Sequence, residues 1–231
     1  MKYLECGLRT NPDVVFLPVS LESYVEELEA LDIPVVLLEP ETADDFEEAV
    51  EIIGKVMGCE DKVDEYKQYE EDLLEKYELD EVEEEPTVYF AGSDLLTCAT
   101  DDMYQGEILS YAQADNAIDA EGSSWVNIDI ETLLAANPDY VFIEAGSLSA
   151  DDFKNDARVQ ELQAVQNDHV YVFPSTLETW DTPSLSSCLG KLWAASILHP
   201  ELVSMDDVEA EAVAFYEQFY GFTPEAQDLA L

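Results

Sequence analysis

The segment "NPDVVFLP" at 11–18 returns as "NPDYVFIE" at 137–144, and its flanks return with it. The first copy reads "YLECGLRTNPDVVFL" and the second "DIETLLAANPDYVFI". Glu5 therefore aligns with Glu131, Leu8 with Leu134, Pro12 with Pro138 and Phe16 with Phe142, at a constant spacing of 126 residues. Solenoid repeats recur every 20–50 residues or so, which excludes that architecture. A spacing of this size fits two similar lobes in tandem, because domains typically run to about 100–150 residues. The chain has 231 residues, 47% of them hydrophobic, so it can bury a real core.

The repeated unit has a physical reading. "LECGLRT" and "IETLLAA" place apolar residues at helical spacing, and Asn-Pro then ends the helix, since a residue before proline is pushed out of the α region. "DVVFL" and "DYVFI" are short, β-branched and aromatic, as buried parallel strands are. In the first copy a helix, "SLESYVEELEALDI", leads to the strand "PVVLLEP"; in the second, "SADDFKNDARVQELQAV" leads to "HVYVFP". Each copy is thus a βαβ unit, which implies right-handed crossovers. Between them "TADDFEEAVEIIGKVMG" carries a capping pattern at Thr42 and Asp45 and a stop at Gly58. "EDKVDEYKQYEEDLLEKY" follows with Val63, Tyr66, Tyr69, Leu73 and Tyr77 on one face, a stripe that reads as core packing. A strand, "TVYFAG", opens the second lobe. A helix enters near Met103 with Ile108, Leu109 and Ala112 facing inward, another starts at Pro183, and a last one stops at Gly221. The expected fold is α/β, with two βαβ-based lobes whose sheets are parallel, joined by long helical segments. Residues 1–41 form a partial first lobe, 42–85 the linker helices and 86–231 the second lobe.

Charge bounds the partners. With 54 Asp+Glu against 9 Lys+Arg, the formal net charge is −45. A field of that sign repels nucleic acid and anionic membrane surfaces, and it otherwise serves solubility. No segment reaches the roughly 18 apolar residues of a membrane span, and "MKYLECGLRTNPD" has no signal-peptide apolar region. Cys6, Cys59, Cys98 and Cys188 lie far apart with no CxxC pair, so a zinc site is not expected; one or two disulfides and buried free thiols are both open.

No catalytic signature is present. "AGSDL" and "AGSLS" lack the last glycine of a nucleophile elbow, and there is no P-loop or GxGxxG. Of two histidines, His169 opens an apolar strand and His199 follows a helix, both structural positions. An enzyme is therefore not expected. In parallel sheets ligands bind beyond the carboxyl ends of the strands. Those ends are Pro18, Val19 and Ser20 in the first lobe, and Gly92, Ser93, Glu144, Ala145, Gly146, Ser147, Ser175 and Glu178 to Trp180 in the second. Trp180, in a loop, and Trp125, in "GSSWVNIDIE", are candidates to stack on a flat ligand; the alternative for each is packing onto its own lobe.

The runs "YFAGSDLLTCATDDMYQGEILSYAQADNAI", "SSWVNIDIETLLAANPDYVFI" and "LQAVQNDHVYVFPSTLETWDTPSLSSCLGKLWAASILHPE" resemble the second lobe of substrate-binding proteins of iron-siderophore and vitamin B12 ABC importers. The resemblance is diffuse and spans nearly the whole chain. It implies a monomeric, extracytoplasmic binder that is membrane-anchored in its full-length form. Such a protein holds a small metal complex in a cleft between the lobes and delivers it to a dimeric ABC permease. The candidate ligand-contacting residues are Ser20, Ser93, Tyr104, Gln105, Trp125, Gly146 and Trp180, and the resemblance implies Glu5 and Glu131 as an acid on each lobe that docks onto permease arginines. The resemblance also implies a further βα portion ahead of Glu5, so the first lobe is expected to be incomplete and the start of the chain truncated. The alternative is a cell-surface interaction module on the same scaffold, with its cleft degenerate.

The ligand reading is chemical. Anionic ferric chelates are held by arginine clusters, and this sequence has only Arg9 and Arg158. No protein-bound cofactor is expected. A neutral or cationic ferric chelate or a corrinoid fits better as solute, with haem as a further option through Tyr104 or His169. Direct binding of a metal by Glu144 and Glu178 lacks any identifying ligand spacing.

Overall fold

The computed structural model describes residues 12–40, 42–79, 82, 84–122, 124–229 and 231. They belong to two compact units, Met1–Glu60 and Asp61–Leu231, and the boundary falls inside the segment expected to link the lobes.

In the first unit, strand β1 (Val15–Pro18) is followed by a 3-10 turn (Val19–Tyr24), helix α1 (Val25–Glu29), strand β2 (Val35–Leu38) and helix α2 (Ala43–Met57). β1 and β2 pair in parallel, Val15 opposite Val35 and Pro18 opposite Leu38. The single helix expected after β1 is instead split, because Leu21 leaves the helical region at φ −106°, ψ 15°. α2 begins as its sequence dictates. The Thr42 hydroxyl accepts from the Asp45 amide at 3.2 Å, and the Asp45 carboxylate accepts from the Thr42 amide at 3.2 Å. Gly58, at φ +65°, ends it. None of the residues of β1 or β2 is fully buried.

The second unit opens within α3 (Glu60–Lys76), whose tyrosine stripe is core packing as expected. Tyr66 and Leu73 are buried. The Tyr69 ring meets Phe215 and Phe219 at 5.8 and 5.2 Å between centroids, on the C-terminal segment formed by α9 (Met205–Phe215) and the wide turn Tyr216–Tyr220 that continues it. Lys76 Nζ reaches Glu211 at 2.6 Å along the same contact.

The sheet of this unit contains β3 (Thr87–Ala91), β4 (Thr97–Cys98), β5 (Asp115–Asn116), β6 (Val126–Asn127), β7 (Tyr140–Ile143) and β8 (Val170–Val172), in the order β6-β4-β3-β7-β8 with β5 also beside β3. β3, β7 and β8 run parallel, as expected. The expectation of an all-parallel sheet is corrected at the edge, where β4 and β6 pair antiparallel. The reason is length: residues 92–96 are too few for a parallel crossover, which needs about a dozen or more.

Side chains alternate strictly. Phe90, Phe142 and Phe173 point to one face, where Phe90 stacks on Phe173 at 5.2 Å and Trp193 packs on Phe173 at 4.5 Å. Trp193 belongs to α8 (Ser187–Leu198). Tyr89, Ala91, Val141 and Ile143 point to the other face, with Leu133, Phe153 and Leu162. Those three come from α5 (Ile130–Ala136), α6 (Ala150–Asn155) and the turn before α7 (Gln163–Gln166). α4 (Tyr104–Tyr111) buries Ile108 and Leu109 as expected, and Gly221 at φ +72° ends the turn after α9; α10 (Ala226–Leu229) closes the chain. α8 starts at Ser187, not at Pro183, because 183–186 are taken up by a turn in which Ser187 Oγ donates to the Ser184 carbonyl. Cys98 and Cys188 are buried free thiols and Cys59 a half-buried one, while Cys6 lies outside the described residues. No helix among the described residues is long and apolar enough to cross a membrane.

The second Asn-Pro-Asp corner has a defined role. Asn137 ends α5 in the left-handed region at φ +43°. Asp139 Oδ2 accepts from the Thr87 amide at 2.9 Å and from the Thr87 hydroxyl at 2.7 Å, while its Oδ1 accepts from Gln163 Nε2 at 2.8 Å. One carboxylate thus ties the starts of β3 and β7 and the turn that leads to β8. Asp139→Ala should lower unfolding free energy by about 1–3 kcal/mol, with Asp139→Asn intermediate, as read by urea denaturation.

Candidate functional site

The carboxyl ends of three parallel strands converge on one edge of the second unit. β3 runs out through Gly92 and Ser93, β7 through Glu144 to Ser147, and β8 through Phe173 into the loop 174–186. The Glu144 amide donates to the Ala91 carbonyl at 2.8 Å, and the Phe173 amide to the Ile143 carbonyl at 3.0 Å, so the parallel ladder extends to the edge itself. Ser147 Oγ donates to the Gly92 carbonyl at 2.8 Å and joins the first two exits. Gly146, at φ +73°, makes the tight turn between them.

Three expected ligand residues meet here. Ser93 and Gly146 are exposed. Trp125 is half-buried and its ring lies against Gly92, where an added Cβ would come within 2.6 Å of it. Ser20 is exposed on the turn after β1, in the first unit.

Three others are placed differently. Trp180 is 2% exposed, with its indole Nε1 donating to the Tyr216 hydroxyl at 3.2 Å. It is a core residue rather than a stacking surface, because the loop folds its largest apolar side chain inward onto the C-terminal segment. Its carbonyl also seats against Gly190 of α8, where a Cβ would stand 1.9 Å away. Tyr104 is 2% exposed, its ring covered by Lys191 Nζ at 5.5 Å. Gln105 is buried and donates through Nε2 to the Asp181 carbonyl at 2.8 Å, so it braces the loop. Neither histidine reaches this edge. His169 precedes β8, at the opposite end of that strand, stacked on Tyr140 at 4.4 Å with Nδ1 3.2 Å from the Asp139 carbonyl. His199 ends α8, but its ring turns to the end of α4, with Nε2 2.9 Å from the Ala112 carbonyl. The two residues considered for a haem iron, Tyr104 and His169, thus do not stand together at this edge.

The edge is acidic. Glu144 and Glu178 are half-buried and Asp181 fully buried. Burial raises the Glu144 carboxyl above the usual range. Burial, with the Glu144 charge added, pushes Asp181 up to about 6. Glu178 Oε1 accepts from the Tyr220 hydroxyl at 2.8 Å. The exits 92–93, 144–147 and 174–186 contain no Lys or Arg, and Arg158 is held by Asp156 at 2.8 Å. No group of three His, Cys, Asp or Glu that could hold a metal ion is formed among the described residues. A groove of about 570 Å³ lies elsewhere, between α4 and β5 beside the start of β3, and is lined in part by Asp101, Ser110 and Asp115.

Glu131 is exposed on the first turn of α5, behind the Asp129 cap that accepts from the Thr132 amide at 2.8 Å. Its counterpart Glu5 lies outside the described residues. Asp181 and its bond to the β7 exit were not foreseen from the sequence. The signal was an acid directly after Trp180 in a strand-end loop, but one acid among 54 gives no sign of burial.

The fold matches known proteins. Residues 8–177 match the periplasmic binding protein family, and the chain belongs to that family. It is, in class, a solute-binding protein of the kind that serves ABC transporters. The molybdate-binding protein MolA of Haemophilus influenzae is 23% identical over 94% of this chain and 69% of its own length. MolA's molybdate-bound structure superposes with a TM-score of 0.80 at 21% identity, covering 96% of this chain and 76% of that one. A periplasmic solute-binding protein from Veillonella parvula gives a TM-score of 0.82 at 20% identity, over 97% of this chain and 71% of that one. CeuE of Helicobacter pylori with Ni(II) bound gives 0.74 at 18% identity, over 98% and 74%.

Trp180→Ala should cost about 3–5 kcal/mol of stability, seen as a lowered denaturation midpoint together with loss of a buried-indole emission component. A stacking role alone would leave the midpoint unchanged.

Proposed function

We propose that the chain captures a neutral or cationic metal complex, an iron chelate of siderophore type or a corrinoid. It then delivers this solute to a dimeric ABC permease on the outer side of the cytoplasmic membrane, to which the protein is anchored. The observation that carries the reading is the charge of the strand-end edge: Glu144, Glu178 and Asp181 stand there with no Lys or Arg in the three exits. An oxyanion such as the molybdate held by the H. influenzae relative, or a trianionic chelate, meets repulsion at such an edge. A complex with zero or positive charge does not. Ser93, Gly146 and the Trp125 face contribute hydroxyl, open backbone and a flat apolar surface, the mixture a metal chelate with organic arms requires.

Tryptophan-fluorescence titration separates the readings. Ferrioxamine B (a cationic ferric trihydroxamate) or neutral cyanocobalamin should bind with Kd of about micromolar or below, and sodium molybdate should neither bind nor compete. Binding of molybdate alone would overturn the assignment of solute charge. Glu144→Gln with Glu178→Gln should weaken the cationic chelate roughly tenfold.

Delivery rests on Glu131 and its repeat partner Glu5. Charge reversal of both should abolish solute uptake into permease-bearing cells or vesicles while leaving the fluorescence titration unchanged. Normal uptake by that variant would remove the pair from docking.

A further inference from the structure

The loop from β8 to α8 closes over the edge through one side chain. Asp181 is fully buried, and its Oδ2 accepts from the Ala145 amide at 2.9 Å, one residue past Glu144 and one before the positive-φ Gly146. Its own carbonyl accepts from Gln105 Nε2 on α4. The preceding Trp180 is fixed on both sides, by Tyr216 through its indole and by Gly190 against its carbonyl. Asp181 therefore cannot move away without unseating the loop, and its bond to Ala145 is what fixes the β7 exit from below. Its second oxygen, Oδ1, is buried with no hydrogen-bond partner.

We propose that Asp181 is a positioning residue that sets the shape of the Glu144–Ser147 exit and makes that solute-facing edge responsive to protons. A main-chain amide needs only one acceptor oxygen, which an asparagine would supply without charge. A carboxylate here instead leaves a buried oxygen unsatisfied beside a second acid, a costly arrangement unless the group takes up a proton. The charged group that faces it is Glu144, on the β7 exit. α4 presents the neutral amide of Gln105, Lys191 of α8 lies over the Tyr104 ring, and Glu178 on the same loop is bonded to Tyr220. When Asp181 is protonated, Oδ2 still accepts from Ala145 and the edge loses one negative charge. When it ionises, the edge gains that charge and with it attraction for a cationic solute.

The sign follows from linkage. The Asp181 carboxyl is raised to about 6, so the folded chain holds this proton more tightly than the unfolded chain does. The group contributes stability that is present in acid and lost as pH rises through about 6. Asp181→Asn keeps an acceptor for Ala145 and removes the titration. Its Tm relative to wild type should therefore rise from pH 4.5 to pH 7 and then level off, and a difference that stays flat across that range would overturn the proposal. In wild-type protein, the ¹⁵N-labelled Ala145 and Gly146 amides should titrate with a midpoint near 6. They should still titrate in Glu144→Gln, at a lower midpoint because the neighbouring charge is gone. Amides that do not move between pH 4 and pH 7 in that variant would show that Asp181 does not act on the exit, even if Asp181→Asn fails to fold.

The link to solute rests on the function proposed above. Ferrioxamine B affinity should fall roughly tenfold on acidification through pH 6 in wild type and stay level in Asp181→Asn. Equal pH dependence in both would overturn the coupling. Absence of ferrioxamine binding at every pH would instead count against the solute reading, while the stability and amide titrations decide the role of Asp181 without any solute.

Discussion

Both faces of three parallel strands must be covered, and that requirement organises the second unit. β3, β7 and β8 place Phe90, Phe142 and Phe173 against Trp193 on one side and Tyr89, Val141 and Ile143 against Leu133 and Phe153 on the other. Each buried aromatic or branched side chain contributes about 1.5–3 kcal/mol relative to exposure, and no single backbone register satisfies both faces after a one-residue slip. The register in turn brings Gly92, Glu144 and Phe173 to the same level. The candidate site is a by-product of that alignment: once the cores on both faces are filled, the strand exits have only one edge on which to emerge.

The same alignment explains why function and stability are entangled on this edge. Gln105, Trp180 and Asp181 do not face outward, yet they hold the segments that do. Gly190 and Gly92 allow the close approaches, one beneath the Trp180 carbonyl and the other beneath the Trp125 ring. The edge is consequently built from backbone, two glycines and a buried carboxylate more than from large side chains. A scaffold of that kind presents few side chains of its own, so the groups that protrude carry most of its surface chemistry.

Charge at the edge has its own distribution. A chain with a formal charge of −45 could still carry a local basic patch. Here Lys76 pairs with Glu211, Lys154 with Asp168 and Arg158 with Asp156. The acids that remain at the edge are partly or wholly withdrawn from water, where a charge acts over longer distance than at an exposed surface.

The amino-acid sequence by itself determined the local grammar. Thr42 and Asp45 made a capping box, Gly58 and Gly221 ended helices, the tyrosine stripe of α3 became core, and Asn137-Pro138-Asp139 turned a helix into a strand. These outcomes depend on residues within a few positions of one another, so spacing suffices to read them. The doubled segment likewise announced two βα units, because a long constant offset survives divergence of the side chains between. Only the tertiary structure decided that Trp180 and Tyr104 turn inward, that β4 runs antiparallel to both β3 and β6, that α8 waits until Ser187, and that one acid of 54 is buried behind Ala145. Each of these rests on partners far away in the chain, Tyr216 for Trp180 and Ala145 for Asp181. Burial is a property of what packs on a residue, and that is fixed when the sheet closes, not by the residue's neighbours in sequence.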